Sequence, residues 1–187
     1  YQSFAKHKHL IDYSQDMITK AQSLISDRKN TSFSQGNIYE LPIKDKSVDL
    51  FISIRTLHHI QHPDLLFKEI NRVLTKGGHF ILEIPNKRHL LNIIKYALGK
   101  LKESPFTPTP LKLGESFYNF NPFYIMNLSK QYGFKVSKTK QCNFLRLPFL
   151  KKIVPTTFLV ALDRFFSYIH LPLISPSVFV VLKKIDT

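Results

Sequence analysis

Two short apolar runs in the middle of the chain predict buried strands. Val48–Ile54 and Phe80–Ile84 are rich in β-branched and aromatic residues, which is typical of parallel strands covered on both faces. Between them, Pro63-Asp64 begins a segment whose apolar residues recur at helical spacing, namely Leu65, Leu66, Ile70, Val73 and Leu74. Gly77-Gly78 is expected to end this helix. The three elements therefore predict a βαβ unit.

A second strand pattern precedes this unit. His9–Asp12 is a short apolar strand that ends in an acid, Ser14 is a plausible helix cap, and Thr31–Ser34 predicts another strand. An acid at the end of such a strand can accept hydrogen bonds from ribose hydroxyls, as in doubly wound nucleotide-binding sheets. The alternative is that Asp12 only caps the helix and that Met17 belongs to the core.

Beyond Asn86 the pattern predicts a helix over 88–102, a proline-rich loop over 105–110, a helix over 122–132, and strands from Phe134 and over 177–183. A helical insertion is expected over 144–175. Its apolar side chains would share one face, with basic residues nearby: Phe158, Leu159, Leu162, Phe165, Phe166 and Ile169, beside Lys151, Lys152 and Arg164. Such a helix could lie on a membrane surface, cover an apolar substrate, or pack on the sheet.

The charge of the chain indicates anionic partners. Lys and Arg total 27 against 13 Asp and Glu, and residues 121–187 contain 10 basic and 2 acidic side chains. Phospholipid headgroups, a phosphorylated substrate and RNA all fit this excess. The single Cys142 excludes an internal disulfide and lies in no metal-ligand spacing, so no metal is predicted. Without an apolar run of about 18 residues or a signal peptide, we expect a cytoplasmic protein that could bind a membrane peripherally through 151–169.

Four segments, in order and spacing, resemble the second half of a class I S-adenosylmethionine-dependent methyltransferase of the small-molecule type. They are Gly36–Pro42, Val48–Ser53, Leu57-His58-His59 and Arg72–Leu82. The resemblance implies a single α/β domain over 1–187. Its sheet would be doubly wound and mostly parallel, of the seven-stranded type, with an antiparallel last strand. It also implies S-adenosylmethionine as cofactor and methyl transfer to a small-molecule or lipid-like acceptor.

The resemblance also implies roles for particular residues. Asp12 would bind the ribose, Tyr13 and Met17 would line the adenine, and Ser53 and Ile54 would lie near the methyl group. Asn37 stands where the family usually has an acid that binds the adenine amino group, and Ile38 would contact the ring. His58 and His59 are candidate general bases or structural residues of the cofactor pocket. Tyr118 and Phe120 are candidate substrate contacts or packing aromatics.

One family feature is missing. A first strand and a glycine-rich turn usually precede these segments, but the first glycine here is Gly36 and no Gly-x-Gly pattern exists. We expect a truncated amino end, and hence weak cofactor binding by the 187-residue chain alone. A degenerate scaffold without cofactor is the alternative. Ile52-Ser53-Ile54 with His58-His59 also loosely resembles methyltransferases that modify wobble uridines in tRNA, so an RNA acceptor stays open.

Overall fold

The computed structural model describes residues 5–142, 155, 157–158 and 173–185. The chain forms two compact units, Tyr1–Asp45 and Lys46–Thr187, and each is described by itself below. The single domain expected over 1–187 therefore stays a prediction. The helical insertion over 144–175, with Phe165 and Phe166, lies almost entirely outside the described residues.

The first unit is a parallel strand pair with one helix. It consists of β1 (Lys8–Asp12), α1 (Gln15–Leu24) and β2 (Thr31–Gln35), and Asp12 pairs with Gln35 at the end of the ladder. The hydroxyl Oγ of Ser14 accepts a hydrogen bond from the backbone N–H of Met17, which confirms the predicted cap. Both strands therefore end at the same edge, and the helix that Ser14 begins is part of the connection between them.

The second unit contains a four-stranded sheet in the order β3-β4-β8-β7. Strand β3 is parallel to β4, and β8 is antiparallel to both of its neighbours, which confirms the antiparallel last strand. The elements of the unit, in chain order, are β3 (Val48–Ser53), a 3₁₀ helix (Leu57–His59), α2 (Pro63–Val73), β4 (Leu74–Pro85), α3 (Leu90–Ala97), β5 (Leu111–Lys112), β6 (Tyr118–Asn119), α4 (Pro122–Gln131), β7 (Phe134–Cys142) and β8 (Ser177–Lys184).

The core of this unit lies between α2 and one face of the sheet. The ring of Phe67 on α2 lies 6.1 Å from that of Phe80 on β4 and 6.0 Å from that of Phe134 on β7. All three side chains are fully buried, and burying one large apolar side chain contributes about 1.5 to 3 kcal/mol. Helix α2 therefore fixes β4, whose carboxyl end forms part of the pocket described below.

The predicted end of α2 is wrong. The helix ends at Val73, and β4 begins at Leu74 without a loop, so Gly77-Gly78 lies inside a strand. The last carbonyls of a helix need partners from outside it. Here the backbone N–H groups of Lys46 and Ser47 and the ammonium of Lys184 donate to these carbonyls, at 2.7 to 2.9 Å from Asn71, Arg72, Val73 and Leu74. The helix therefore ends at Val73, before the two glycines, and residues from the turn before β3 and from β8 bind its last carbonyls.

Helix α3 is shorter than predicted. It covers Leu90–Ala97 instead of 88–102, and Gly99 follows it with a φ of +67°. A glycine in this left-handed conformation is a common helix end. Among the described residues, no helix is long and apolar enough to cross a membrane.

Candidate functional site

The carboxyl ends of β1 and β2 meet at one edge, here called the β1–β2 edge, and Asp12 is its acidic group. The side chain of Asp12 is exposed, and its Oδ1 accepts a hydrogen bond from the backbone N–H of Ser14 at 2.9 Å. No described residue donates to Oδ2. One carboxylate oxygen is therefore available to accept hydrogen bonds from a ligand's hydroxyls.

Two apolar side chains beside Asp12 are exposed. Tyr13 is 78% and Met17 52% accessible, so neither belongs to the core of this unit. Exposed aromatic and thioether groups next to a carboxylate suit a ligand that has both a flat ring and hydroxyl groups. This combination of a hydrogen-bond acceptor and exposed apolar side chains fits a nucleoside.

The turn after β2 requires glycine. A Cβ at Gly36 would lie 2.8 Å from Cδ of Pro42 and 3.0 Å from Cγ2 of Ile11, and the N–H of Gly36 donates to the carbonyl of Asp12 at 3.0 Å. The side-chain oxygen of Asn37 accepts from the backbone N–H of Tyr39 at 3.0 Å. Asn37 thus shapes the turn, and the second lone pair of its oxygen stays available for a ligand. Ile38 next to it is half-buried.

A separate cavity of about 220 Å³ lies at the carboxyl ends of β3 and β4 and is here called the pocket. Its wall contains both polar and apolar groups, as the walls of small-molecule sites do. The residues that line it are Arg55, His58, Glu83, Pro85, Phe117, Asn119, Pro176 and Ser177.

Glu83 is the buried acid of the pocket, at 6% exposure. Its Oε2 accepts a hydrogen bond from the backbone N–H of Arg55 at 3.0 Å, and Arg55 has a φ of +59°. Because side chains other than glycine rarely adopt this conformation, the bond to Glu83 stabilises a turn that would otherwise be unfavourable. No described residue donates to Oε1 of Glu83, so this oxygen is available to a donor in the pocket.

The imidazole of His58 is held by ring contacts. It stacks on Phe117 with centroids 4.5 Å apart, and it lies 4.1 Å from the ring of His59. Burial lowers the pKa of His58, the neighbouring His59 and Arg55 lower it further, and Glu83 partly opposes the shift. His58 is therefore neutral at pH 7 and able to accept a proton. His59 does not line the pocket, and its Nδ1 lies 3.3 Å from the carbonyl oxygen of Ser116.

Four other residues predicted to contact a ligand do not line the pocket. Ser53 is buried, and no described residue hydrogen-bonds its Oγ; Ile54 is 37% exposed. Tyr118 and Phe120 are buried and do not line the cavity. The hydroxyl of Tyr118 accepts from Nε2 of Gln61 at 3.0 Å. The ligand roles of these four residues stay predictions.

Several pocket residues were missed from the sequence. Glu83 interrupts an apolar strand, and an acid at such a position could have been noticed because a buried carboxylate needs partners. Phe117 and Asn119 come from one short segment, whereas Ser177 begins β8 about 60 residues later, and no sequence spacing joins this segment to Glu83 or Ser177. Within the described ranges, no group of three or more His, Cys, Asp or Glu side chains could hold a metal ion.

Several known proteins are similar to this chain in sequence. A family model described as a methyltransferase domain matches residues 2–82. The demethylmenaquinone methyltransferase of Chlamydia felis is 30% identical over 150 residues, which cover 72% of this chain and 63% of that protein. A probable S-adenosylmethionine-dependent methyltransferase of Mycolicibacterium smegmatis is 28% identical over 104 residues, covering 56% of this chain and 35% of the relative.

Solved structures support the same fold at low sequence identity. A putative S-adenosylmethionine-dependent methyltransferase from Listeria monocytogenes has a TM-score of 0.66 at 17% identity, covering 97% of this chain and 81% of the other. One from Mesorhizobium loti has a TM-score of 0.65 at 15% identity, covering 96% and 81%. At this identity the likeness concerns the fold, and it confirms the Rossmann-like α/β class.

The chain spans only part of the curated relatives that it matches, between 22% and 35% of the length of three of them. The matched family model nevertheless covers both strands of the β1–β2 edge and extends through β3 into β4. The sequence match and the fold agree: residues 2–82 match a methyltransferase domain, and the described fold is similar to that of S-adenosylmethionine-dependent methyltransferases.

Proposed function

We propose that this protein transfers a methyl group from S-adenosylmethionine to an oxygen or nitrogen atom of a small organic acceptor. The observation that carries the proposal is the pocket, where a neutral imidazole and a buried carboxylate with a free oxygen line one cavity. Both groups accept hydrogen bonds, so the pocket favours a ligand that donates them.

The β1–β2 edge supports binding of the nucleoside part of the cofactor. Asp12 would accept from the ribose hydroxyls through Oδ2, Tyr13 and Met17 would cover the adenine, and Asn37 would bind its amino group. When bound, S-adenosylmethionine supplies a methyl group on a sulfonium; its transfer leaves the carbon–sulfur electron pair on sulfur and releases one proton from the acceptor.

The pocket residues then have separate tasks. His58 would take the released proton on a ring nitrogen, because its pKa is lowered and it is unprotonated at pH 7. Oε1 of Glu83 would orient the acceptor by accepting a hydrogen bond from it. Phe117, which is 46% exposed, would cover the flat or apolar part of the acceptor. Much of the rate in such a transfer comes from positioning.

The acceptor's identity stays open. By their names, two relatives methylate demethylmenaquinone and malonyl-[acyl-carrier protein], which supports a wide range of small-molecule or lipid-like acceptors for this family. An acceptor with an apolar tail fits the partly apolar wall of the pocket. A tRNA acceptor and a scaffold without cofactor are the alternatives.

A methyl-transfer assay tests the proposal. The protein is incubated with tritiated S-adenosylmethionine and a panel of small phenols, alcohols, amines and carboxylic acids, with unmodified tRNA as a separate arm. We expect label in at least one small acceptor. Phe117→Ala should raise KM for that acceptor, whereas Phe106→Ala, which removes an equally exposed ring outside the pocket (52%), should not.

Each other outcome contradicts the proposal. Label in tRNA alone would favour the RNA alternative. Absence of both transfer and calorimetric binding of S-adenosylhomocysteine would favour the scaffold. This measurement uses the protein encoded by the complete gene, because weak binding is expected of the 187-residue chain alone. Equal KM changes in the Phe117 and Phe106 variants would remove the pocket from acceptor binding.

A further inference from the structure

Four lysines share one face of the sheet in the second unit. Lys135 pairs directly with Lys183, while Lys138 pairs with Val181 and Lys140 with Phe179. Residues that are directly opposite across a strand pair, and residues two apart along one strand, point to the same side. Lys135, Lys138, Lys140 and Lys183 therefore form one surface, here called the lysine surface, and all four are exposed.

A bulge creates this alignment. The register of β7 against β8 shifts between Val136 and Lys138, and Ser137 donates through Oγ to the carbonyl of Val181 at 3.0 Å. In a regular strand Lys135 and Lys138 would point to opposite faces, because they are three residues apart. The extra residue turns Lys138 and Lys140 to the side of Lys135, which is how bulges redirect side chains.

Among the described residues, no acid balances these charges nearby. Residues 121–142 and 173–185 contain neither Asp nor Glu, and none of the four lysines forms an ion pair with another described residue. Glu83 lies on the same face two strands from Lys140, roughly 10 Å away by strand spacing, and it is buried and bonded to Arg55. The lysine surface therefore has a locally uncompensated positive charge.

Protection of the sheet edge accounts for only part of this pattern. Lysines often occupy edge strands, where they prevent pairing with other chains, and β7 is an edge strand. Strand β8, however, lies inside the sheet, so Lys183 protects no edge. Its like-charged partner Lys135 lies directly opposite, an arrangement that destabilises a sheet. A bound anion would offset this repulsion.

We propose that the lysine surface binds the phosphodiester backbone of a nucleic acid. Lysines two residues apart on a strand are spaced by about 6.8 Å, so they form a row that can follow a linear polyanion. The neighbouring side chains on this face, Val181 and Phe179, are half-buried, so they offer only a small apolar area to a lipid layer. The surface thus favours a phosphate backbone over a membrane. Binding of a nucleic acid is a function beyond the proposed methyl transfer.

Fluorescence anisotropy with a labelled single-stranded 12-nucleotide oligo(U) RNA tests this inference. With four phosphate contacts, the logarithm of affinity should fall with the logarithm of salt at a slope of about −2.8, which is roughly 50-fold weaker binding from 50 to 200 mM. Replacing all four surface lysines by Gln should abolish this dependence. A control with the same charge change replaces exposed lysines elsewhere, Lys20, Lys95, Lys100 and Lys102, and should keep the slope.

The outcomes separate the possible partners. Equal loss in the control variant, or no RNA binding by the unsubstituted protein, would overturn the proposal. Binding to phosphatidylserine vesicles without RNA binding would overturn it in favour of a membrane, and a matching oligo(dT) distinguishes RNA from DNA. The melting temperature of the variant with all four lysines replaced by Gln should be at least as high as that of the unsubstituted protein, because the repulsion between the lysines is removed. A lower melting temperature would mean that these lysines are structural.

Discussion

The β1–β2 edge and the pocket present their chemical groups in opposite ways. At the edge, Asp12, Tyr13 and Met17 are exposed, and backbone hydrogen bonds shape the turn around them. In the pocket, Glu83 is buried and His58 is held between rings. Hydrogen bonds made by exposed groups strengthen when a ligand shields them from water. In the pocket, burial already lowers the pKa of His58, so the edge suits ligand binding and the pocket suits proton transfer.

The largest effect is expected from His58→Gln. If His58 accepts the proton, its loss should lower kcat about 10²- to 10⁴-fold and leave the affinity for S-adenosylhomocysteine unchanged. The measurement is the rate with the acceptor found in the panel, combined with calorimetry. His59→Gln is the matched control, since His59 lies next to His58 but does not line the pocket. Similar rates for both variants would contradict a role of His58 in proton transfer.

Asp12→Ala should show the reverse pattern. A hydrogen bond to a charged group is worth about 1.5 to 3 kcal/mol, so cofactor affinity should fall roughly 10- to 150-fold while kcat at saturating cofactor stays nearly constant. Calorimetric titration with S-adenosylhomocysteine measures this loss. Asp16→Ala removes a nearby exposed acid in the first turn of α1 and should have little effect. Unchanged affinity in Asp12→Ala would remove this residue from the site.

Substitutions of Glu83 test the role of this buried acid through the free energy of unfolding. Glu83→Ala leaves the backbone N–H of Arg55 without its acceptor, which should cost about 1 to 3 kcal/mol of the free energy of unfolding. Glu83→Gln keeps an oxygen for this bond and should cost less. Urea unfolding measures both variants. Equal costs would mean that the hydrogen bond to Arg55 does not stabilise the turn.

The smallest effect is the pH dependence of stability. Burial lowers the pKa of His9, His58 and His89 below the ordinary value of 6.5. Below that value the unfolded chain binds more protons than the folded one, so stability is complete above about pH 6.5 and falls as pH drops through the lowered values. Urea midpoints at pH 7.5 and 5.5 should show this decrease, and His58→Gln should reduce it. A midpoint that rises on acidification would contradict the assignment.

The sequence predicted the elements better than their ends. Apolar periodicity gave α2 and both parallel strands, because local spacing determines which side chains can share a face. The predicted end of α2 was wrong because the last carbonyls of this helix are bound by distant residues. Lys184, which is 113 residues after Asn71, binds them together with Lys46 and Ser47. Rules based on neighbouring residues in the sequence cannot predict such a contact.

The candidate site divides in the same way. Asp12 and its neighbours follow one strand and could be named from a short motif. The pocket joins Arg55, Glu83, Phe117 and Ser177, whose proximity depends on how the strands pair. Tyr118 and Phe120 are buried and do not line the cavity. Alternate residues of an extended segment face opposite ways, and Phe117 and Asn119 are the residues of this segment that line it.

The strand order also determines how the second unit can be made during protein synthesis. Strand β8 lies between β4 and β7, yet it is the last of the three to leave the ribosome. Until it emerges, β7 has no partner in this sheet, and the ammonium of Lys184 is not yet present to bind the carbonyls of Asn71 and Leu74 at the end of α2. A unit whose last strand lies inside the sheet cannot complete its fold until that strand has been synthesised, and the edge of β7 stays unpaired in this sheet during that interval.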